Sequence, residues 1–299
     1  MKRVTTADLE VWRRPPVCRL TSSGLLLEGN HQNKVWRGLV AVEGSVDACR
    51  PMAIKWLPRQ VTLATELACS LAGQALRLRV PAGYLVLAGV DQLPGLPRRA
   101  LSGGDTVVCF GSTLQWPDDS LARMLADDSA VEELTWRKVC ETPQGSSGAA
   151  WDELLANSDR HYENVVFDGQ DWWLIDHELA LEPLNKLYRR WVQAATRQEI
   201  ADHSASANAL ATEMLQRRPK DHGLLKQPDS LMTQRVRLQW LADQTRNWRM
   251  GHPAIDGVFD IAEVVLRSID LRLPTLALHL NRRLSVPDAT SLWNSSSPP

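Results

Sequence analysis

Three side chains with oxygen donors follow one another at spacings that suit phosphoryl transfer. Asp159 is followed after five positions by Asn164 and after seventeen by Asp176. Phosphoryl transfer needs one oxygen to orient the attacking hydroxyl and others to hold the metal ion on the phosphates. Carboxylate and amide oxygens suit Mg²⁺. The pattern therefore predicts Asp159 as the catalytic residue that orients the hydroxyl or takes its proton, and Asn164 and Asp176 as metal ligands, with ATP and Mg²⁺ as cofactors.

A histidine lies inside the same stretch and has two open roles. His161, two residues after Asp159, is a candidate catalytic residue that stabilises charge on the transferred phosphoryl group. The alternative is that His161 packs beneath the loop. His177, directly after Asp176, is predicted to be structural.

A lysine inside an apolar strand is the candidate phosphate ligand. Lys55 lies in a predicted strand over residues 52–57, and a charge in such a run needs a partner or a ligand. A nucleotide phosphate would serve, and an edge-strand lysine that points to water is the alternative. Glu66 lies in a predicted helix over residues 62–76 and is predicted to hold Lys55 against the phosphates. A solvated glutamate on the helix surface is the alternative for Glu66.

Two further segments are candidate nucleotide contacts by their positions. The turn at residues 29–33 is no G-x-G-x-x-G loop, but backbone N–H groups in a tight turn can bind phosphate oxygens. Asn30 and His31 are therefore predicted to bind the cofactor, and an ordinary hairpin turn is the alternative. A connector over residues 108–112 would follow the last strand, and Cys109 and Gly111 are predicted to bind adenine there.

The order of predicted elements is strands first and helices later. Predicted strands cover residues 24–28, 34–42, 52–57, 80–87 and 105–111, and the helix at 62–76 lies among them. Further helices are predicted at residues 118–125, 129–140, 149–155, 184–217, 230–248, 256–269 and 276–284, with a loop at 143–148. An Asp-Gly turn predicts a β-hairpin over residues 165–175, so that Asp176 follows its second strand.

These elements and the motif order predict an α+β, bilobal, protein-kinase-like fold. Residues 1–111 would form an N-terminal lobe, an antiparallel β-sheet with one main helix. Residues 112–284 would form a mostly helical C-terminal lobe that carries the catalytic β-hairpin. Residues 285–299 are rich in serine, proline and asparagine and are predicted to be a disordered tail.

Composition narrows the function classes. The 299 residues include 34 basic and 35 acidic side chains, so the overall charge gives no reason to expect nucleic acid as a direct partner. The five cysteines form no C-x-x-C pair, which favours a reducing compartment over a zinc or redox site. No apolar run reaches the ~20 residues of a membrane span, and no signal peptide is recognised. A cytoplasmic protein without a membrane partner is the prediction.

The motifs together resemble one kinase family. Asp159-Arg160-His161-x-x-Asn164 and Ile175-Asp176-His177 are similar to the D-R-H-x-x-N and I-D-[FH] motifs of HipA-like atypical kinases, which are related to phosphatidylinositol 3/4-kinases. Lys55, Glu66 and residues 80–83 resemble the lysine strand, helix glutamate and following strand of that family. The resemblance implies a serine/threonine protein kinase with ATP and Mg²⁺. A role as toxin or defence effector, autophosphorylation, a protein substrate and a cognate antitoxin or regulatory protein would follow.

Two alternatives remain beside the protein kinase. A kinase for a small molecule or a lipid headgroup would use the same residues. A nucleotide-binding pseudokinase scaffold without turnover is favoured by the missing glycine-rich loop and opposed by the presence of Lys55, Asp159, Asn164 and Asp176.

Overall fold

A six-stranded sheet occupies the N-terminal part of the described chain. The structure is a computed structural model that describes residues 12–27, 33–42, 49–97, 99–100, 104–115, 128–181, 197–220 and 222–284. The strands are β1 (Val17–Leu20), β2 (Leu25–Leu26), β3 (Val35–Val42), β4 (Cys49–Lys55), β5 (Gly83–Gly89) and β6 (Thr106–Thr113). With the helices that follow, they give an α+β fold, as the sequence predicts.

The sheet closes on itself at β1. The strand order is β1-β5-β6-β4-β3-β2, and β1 also pairs with β3. The pair β1–β5 is parallel, with Val17 opposite Leu85, whereas the other pairs are antiparallel. The prediction of a wholly antiparallel sheet is therefore wrong at this pair. A parallel pair needs a long crossover, and the chain from β2 to the helix before β5 supplies it. Closure leaves β1 without an open edge.

Helix α1 (Gln60–Ala75) lies between the sheet and a long C-terminal helix, α8 (Pro253–Arg272). Because α1 is covered on opposite sides, nearly all of its residues from Thr62 to Ala75 are buried. Alanine, glycine, serine and threonine at many positions allow this close approach on more than one face. The consequence for the site is that Glu66, in the second turn, is 4% exposed.

The remaining helices lie C-terminal to the sheet. They are α2 (Asp128–Cys140), α3 (Pro143–Leu154), α4 (Arg197–Asp202), α5 (Ala209–Arg217), α6 (Gln227–Met232), α7 (Arg235–Asn247), α8 and α9 (Leu276–Leu284). Strands β7 (Val165–Phe167) and β8 (Trp172–Leu174) form the hairpin that the Asp-Gly turn predicts. Within the described ranges no helix is long and apolar enough to cross a membrane.

Several predicted boundaries need correction. The predicted loop at residues 143–148 is the first half of α3, where Pro143 occupies the first turn. Of the predicted helix at 184–217, residues 184–196 lie outside the described residues. The rest is interrupted between α4 and α5, since α5 starts afresh after Asn208, whose side chain accepts the N–H of Ala211. The predicted helix at 230–248 breaks between α6 and α7. The predicted helix at 118–125 and the predicted tail lie outside the described residues.

The proposed boundary between two lobes at residue 111 falls inside β6, which continues to Thr113. The bilobal arrangement stays a prediction.

Candidate functional site

Two residues far apart in the chain meet at the end of β4. Lys55, the last residue of β4, places its Nζ 2.8 Å from Oδ1 of Asp176, which follows β8. The side chain of Lys55 is 14% exposed and that of Asp176 is 34% exposed. Asp176 has a φ of 59°, a left-handed conformation that non-glycine residues seldom adopt. The sequence predicted both residues for one site, and the fold brings them into direct contact.

The backbone on both sides of Asp176 is held by hydrogen bonds. The N–H of Ile175 donates to the carbonyl of Asn164 at 3.1 Å. Arg160 Nη1 donates to the carbonyl of Ile175 at 2.6 Å and to that of Asn164 at 2.8 Å. The N–H of His177 donates to Oε2 of Glu66 at 2.7 Å. Fixed neighbours on each side stabilise the strained backbone between them.

A buried ion pair between Arg160 and Asp152 holds the loop that carries Asp159. Arg160 Nε and Nη2 donate to the carboxylate of Asp152, a residue of α3, at 2.9 to 3.3 Å. Both side chains have no exposed surface. Asn157 Nδ2 also donates to Asp152, at 2.9 Å, and the N–H of Asp159 donates to Oδ1 of Asn157 at 3.2 Å. The loop that carries Asp159 is thus shaped by Asp152 and Asn157, to which sequence analysis assigned no role.

Asn164 is oriented by the loop that it closes. It lies in a short 3₁₀ turn, Tyr162–Asn164, and is buried. Its Nδ2 donates to the carbonyl of Asp159 at 3.3 Å. The nitrogen end of the amide is therefore turned towards the chain, and its oxygen is the end left for a metal ion.

Asp159 and His161 lie at the surface of the site. Asp159 is exposed. The side chain of His161 is 48% exposed, and its Nδ1 lies 3.6 Å from the exposed carboxylate of Glu163. A side chain exposed to this degree does not pack beneath the loop. The exposure of His161 thus speaks against packing beneath the loop, and its contact with a phosphoryl group stays a prediction.

Glu66 does not take the partner that the sequence predicts. Of the ion pairs among the described residues, those of Lys55 are with Asp176 and Glu178. Glu66 instead accepts the N–H of His177, because α1 is inserted deeply enough to place its carboxylate beneath that backbone group. Burial, together with the negative charge of Asp176, raises the pKa of Glu66 to about 8. The predicted Lys55–Glu66 pair is thus corrected, while Glu66 stays inside the site.

Glu178 is the second carboxylate at Lys55. Its Oε2 lies 2.7 Å from Lys55 Nζ, an ion pair whose angle falls outside hydrogen-bond geometry. Its Oε1 accepts a hydrogen bond from Asn33 Nδ2 at 2.9 Å. Burial lowers the pKa of Lys55, but the charges of Asp176, Glu66 and Glu178 outweigh burial and raise that pKa above its ordinary value. Sequence analysis assigned no role to Glu178, although it stands two residues after the predicted metal ligand.

His177 is structural, in agreement with the sequence-based prediction. The ring is 1% exposed, and its Nε2 accepts the indole N–H of Trp151 at 3.1 Å. Burial holds the pKa of His177 well below its usual range, so the ring is neutral and its proton lies on Nδ1. That nitrogen is 4.0 Å from Oε1 of Glu66.

The predicted nucleotide contacts differ in their outcomes. Asn30 and His31 lie outside the described residues. Cys109 and Gly111 lie within β6, paired in register with Val86 and Tyr84 of β5, so no connector begins at residue 108. Cys109 has no exposed surface, and a Cβ at Gly111 would overlap the side chain of Val86. Both residues therefore serve the packing of the closed sheet, and an adenine contact at either one stays a prediction.

The side chains present fit a magnesium ion only together with a ligand. In the part of the chain that is described, no group of three or more histidine, cysteine or acidic side chains could hold a metal ion. Asn164 and Asp176 supply one amide and one carboxylate oxygen donor. Mg²⁺ is commonly bound by one or two carboxylates and completed by phosphate oxygens and water. The surplus of carboxylates over ammonium groups at this site also favours a cation.

Comparison with known proteins yields a distant structural likeness. The chain matches no protein-family model and no curated protein. The resemblance to HipA-like kinases therefore stays a prediction. A solved structure described as the Helicobacter pylori proinflammatory kinase CtkA is similar with a TM-score of 0.49 and 10% identity, over 87% of this chain and 97% of that chain. Similarity of this degree does not carry a function over to this chain.

Proposed function

We propose that the protein is an ATP-dependent phosphotransferase of the HipA-like type, with a serine or threonine hydroxyl of a protein as acceptor. The observation that carries the proposal is the 2.8 Å contact between Lys55 and Asp176. A cation that can bind phosphates and a carboxylate that can bind Mg²⁺ lie side by side. The binding of a nucleoside triphosphate with its metal ion requires both groups.

Each residue of the site has a task in this reaction. Lys55 binds the phosphates of ATP, and Asn164 and Asp176 hold Mg²⁺, which neutralises charge on those phosphates. Asp159 orients the acceptor hydroxyl and takes its proton as the new oxygen–phosphorus bond forms and the bond to ADP breaks. His161 contacts the transferred phosphoryl group. The exposure of Asp159 and His161 is consistent with access for a protein hydroxyl.

The motif resemblance is the support for a protein acceptor, for autophosphorylation and for a role as toxin or defence effector. A small molecule or a lipid headgroup is the alternative acceptor, since the same residues would transfer phosphate to it.

A nucleotide-binding scaffold without turnover is the second candidate. The observation that favours it is the engagement of Glu66 with His177 and not with Lys55. Active protein kinases need their strand lysine paired with the helix glutamate.

Labelled ATP distinguishes these functions. The purified protein is incubated with Mg²⁺ and γ-labelled ATP, alone, with cell lysate and with small hydroxyl compounds. We expect label on protein from the wild type and from D260N, a surface control whose carboxylate pairs with Arg249. We expect none from D159N or D176N. ATP consumption without protein label would favour a small acceptor, and ATP binding without consumption would favour the scaffold. Growth arrest on expression, relieved by D159N, would support a toxin.

A further inference from the structure

Glu178 bridges the candidate lysine and the segment before β3. One carboxylate oxygen lies 2.7 Å from Lys55 Nζ, and the other accepts the Asn33 amide at 2.9 Å. The side chain is 11% exposed, so these contacts are largely shielded from water. Asn33 is the last residue of the turn at 29–33 that the sequence predicts as a phosphate contact. Glu178 therefore links Asn33, β4 and the segment of Asp176.

The ammonium of Lys55 is held from two directions and still has a free donor position. A lysine ammonium carries three N–H donors. Asp176 and Glu178 engage Lys55 at 2.8 and 2.7 Å. Two carboxylates thus contact the nitrogen, and because the Glu178 contact lies outside hydrogen-bond geometry, N–H donors of Lys55 remain for an oxygen of a bound phosphate.

The described ion pairs of Lys55 are with Asp176 and Glu178, and Glu66 is not among them. Oε2 of Glu66 instead accepts the buried N–H of His177. Glu178 reaches Lys55 with Oε2 while its Oε1 accepts the Asn33 amide.

We propose that Glu178 is the positioning residue that holds the Lys55 ammonium for the phosphates of ATP, the task for which the sequence predicts Glu66. This inference rests on the proposed function, since it concerns the nucleotide of that same site. The opposite role would be a carboxylate that occupies Lys55 and must leave before ATP binds. The two roles predict opposite changes in ATP affinity when the charge of Glu178 is removed.

The test is calorimetric titration of the full chain with ATP in the presence of Mg²⁺ and, separately, with adenosine. Adenosine lacks phosphates, so a residue that acts through Lys55 should affect only ATP. We expect E178Q to weaken ATP binding by about tenfold and to leave adenosine binding within about twofold. The surface control E141Q, whose carboxylate pairs with Lys138, should bind ATP within about threefold of the wild type, and E66Q should lose less ATP affinity than E178Q.

A double-mutant cycle distinguishes positioning from general support of the fold. In a K55M background, E178Q should change ATP affinity by less than about twofold, because the group that it positions is absent. Unchanged or tighter ATP binding by E178Q, an equal loss of adenosine binding, a greater loss in E66Q than in E178Q, or additive effects in the cycle would each overturn the inference. A wild type that binds no ATP, or binds it no better than adenosine, would overturn the proposed function itself and the inference with it.

Discussion

The carboxylate of Glu66 accepts the backbone N–H of His177 at 2.7 Å, although 111 residues separate them in the chain. This bond joins α1 to the residue that follows Asp176. A helix that packs against both the sheet and α8 is thereby connected to the candidate metal ligand. The position of α1 and the backbone conformation at Asp176 are consequently linked.

Substitution of Glu66 tests this link through stability. E66Q keeps an oxygen that can accept the N–H of His177, whereas E66A does not. E66A leaves the buried N–H of His177 without a partner, which costs about 1–3 kcal/mol. We expect E66A to lower the free energy of unfolding at pH 7 by about 2 kcal/mol and E66Q by clearly less. Equal losses in denaturant titrations of the two variants would contradict this explanation.

Arg160 offers a test of the loop support. Its guanidinium contacts Asp152 and the carbonyls of Asn164 and Ile175, a pattern that the single nitrogen of lysine cannot reproduce. We expect R160K to lower the free energy of unfolding by about 2–3 kcal/mol, and D152N, which leaves the arginine uncompensated, by about 3–5 kcal/mol.

The matched control for R160K is R267K, which changes an arginine whose side chain is 47% exposed and whose partners lie on the helix surface. Its free energy of unfolding should stay within about 0.5 kcal/mol of the wild type. R160K as stable as R267K would show that the Asp152 network does not hold the loop.

The sequence was sufficient for those parts of the site that local pattern decides. Local sequence determines three of these features: a lysine in an apolar strand, the Asp-Gly turn, and the spacing of Asp159 and Asn164. The structure has the matching strand β4, the β7–β8 hairpin and the loop that Asn164 closes. The partner of Glu66 depends on how deeply α1 is buried, which the periodicity of the sequence does not show. The sequence predicted no role for Glu178 or Asp152, because nothing in the neighbouring residues indicates that an acidic side chain is buried beside a cation.

In the fold, too, local sequence fails where long-range packing determines the structure. Pro143, Gly145 and Gly148 favour a loop by local propensity, yet they lie in α3. A Cβ at Gly145 would come within 2.7 Å of the carbonyl oxygen of Val139, and one at Gly148 within 3.0 Å of Leu210. Close packing against the backbone therefore favours glycine at 145, and a side chain at 148 would need Leu210 to shift, so packing outweighs the low helix propensity of glycine here. The parallel pair β1–β5, which closes the sheet, joins residues far apart in the chain. The four-residue sequence of β1 does not predict this pairing.

Asp176 is predicted to couple nucleotide binding to magnesium. Lys55 contacts its Oδ1, and no described residue donates to Oδ2, so one oxygen is available to a metal ion. We expect Mg²⁺ to strengthen ATP binding by the wild type by about tenfold or more and to strengthen binding by D176N little. Titrations with ATP in Mg²⁺ and in EDTA measure both values, with D260N as control. An equal magnesium effect in D176N and D260N would exclude Asp176 as a ligand.

His279 connects α9 to the segment before α5 and gives a pH dependence distant from the candidate site. Its Nε2 donates to the carbonyl of Ala201 at 2.6 Å, and its Nδ1 accepts from Ser204 Oγ at 3.0 Å. Both contacts are made by the neutral ring. Burial lowers the pKa of His279, with the positive charge of Arg272 acting in the same direction.

The sign of the expected effect follows from this lowered pKa. As the pH falls through the ordinary pKa of histidine, the unfolded chain takes up a proton that the folded chain resists, so the free energy of unfolding decreases. We expect the wild type to lose more stability between pH 7.5 and pH 5.5 than H279Q does. Denaturant titrations at both pH values measure the difference, and H252Q, at an exposed histidine, should behave as the wild type. If H279Q loses as much stability as the wild type over this range, His279 does not carry the pH dependence.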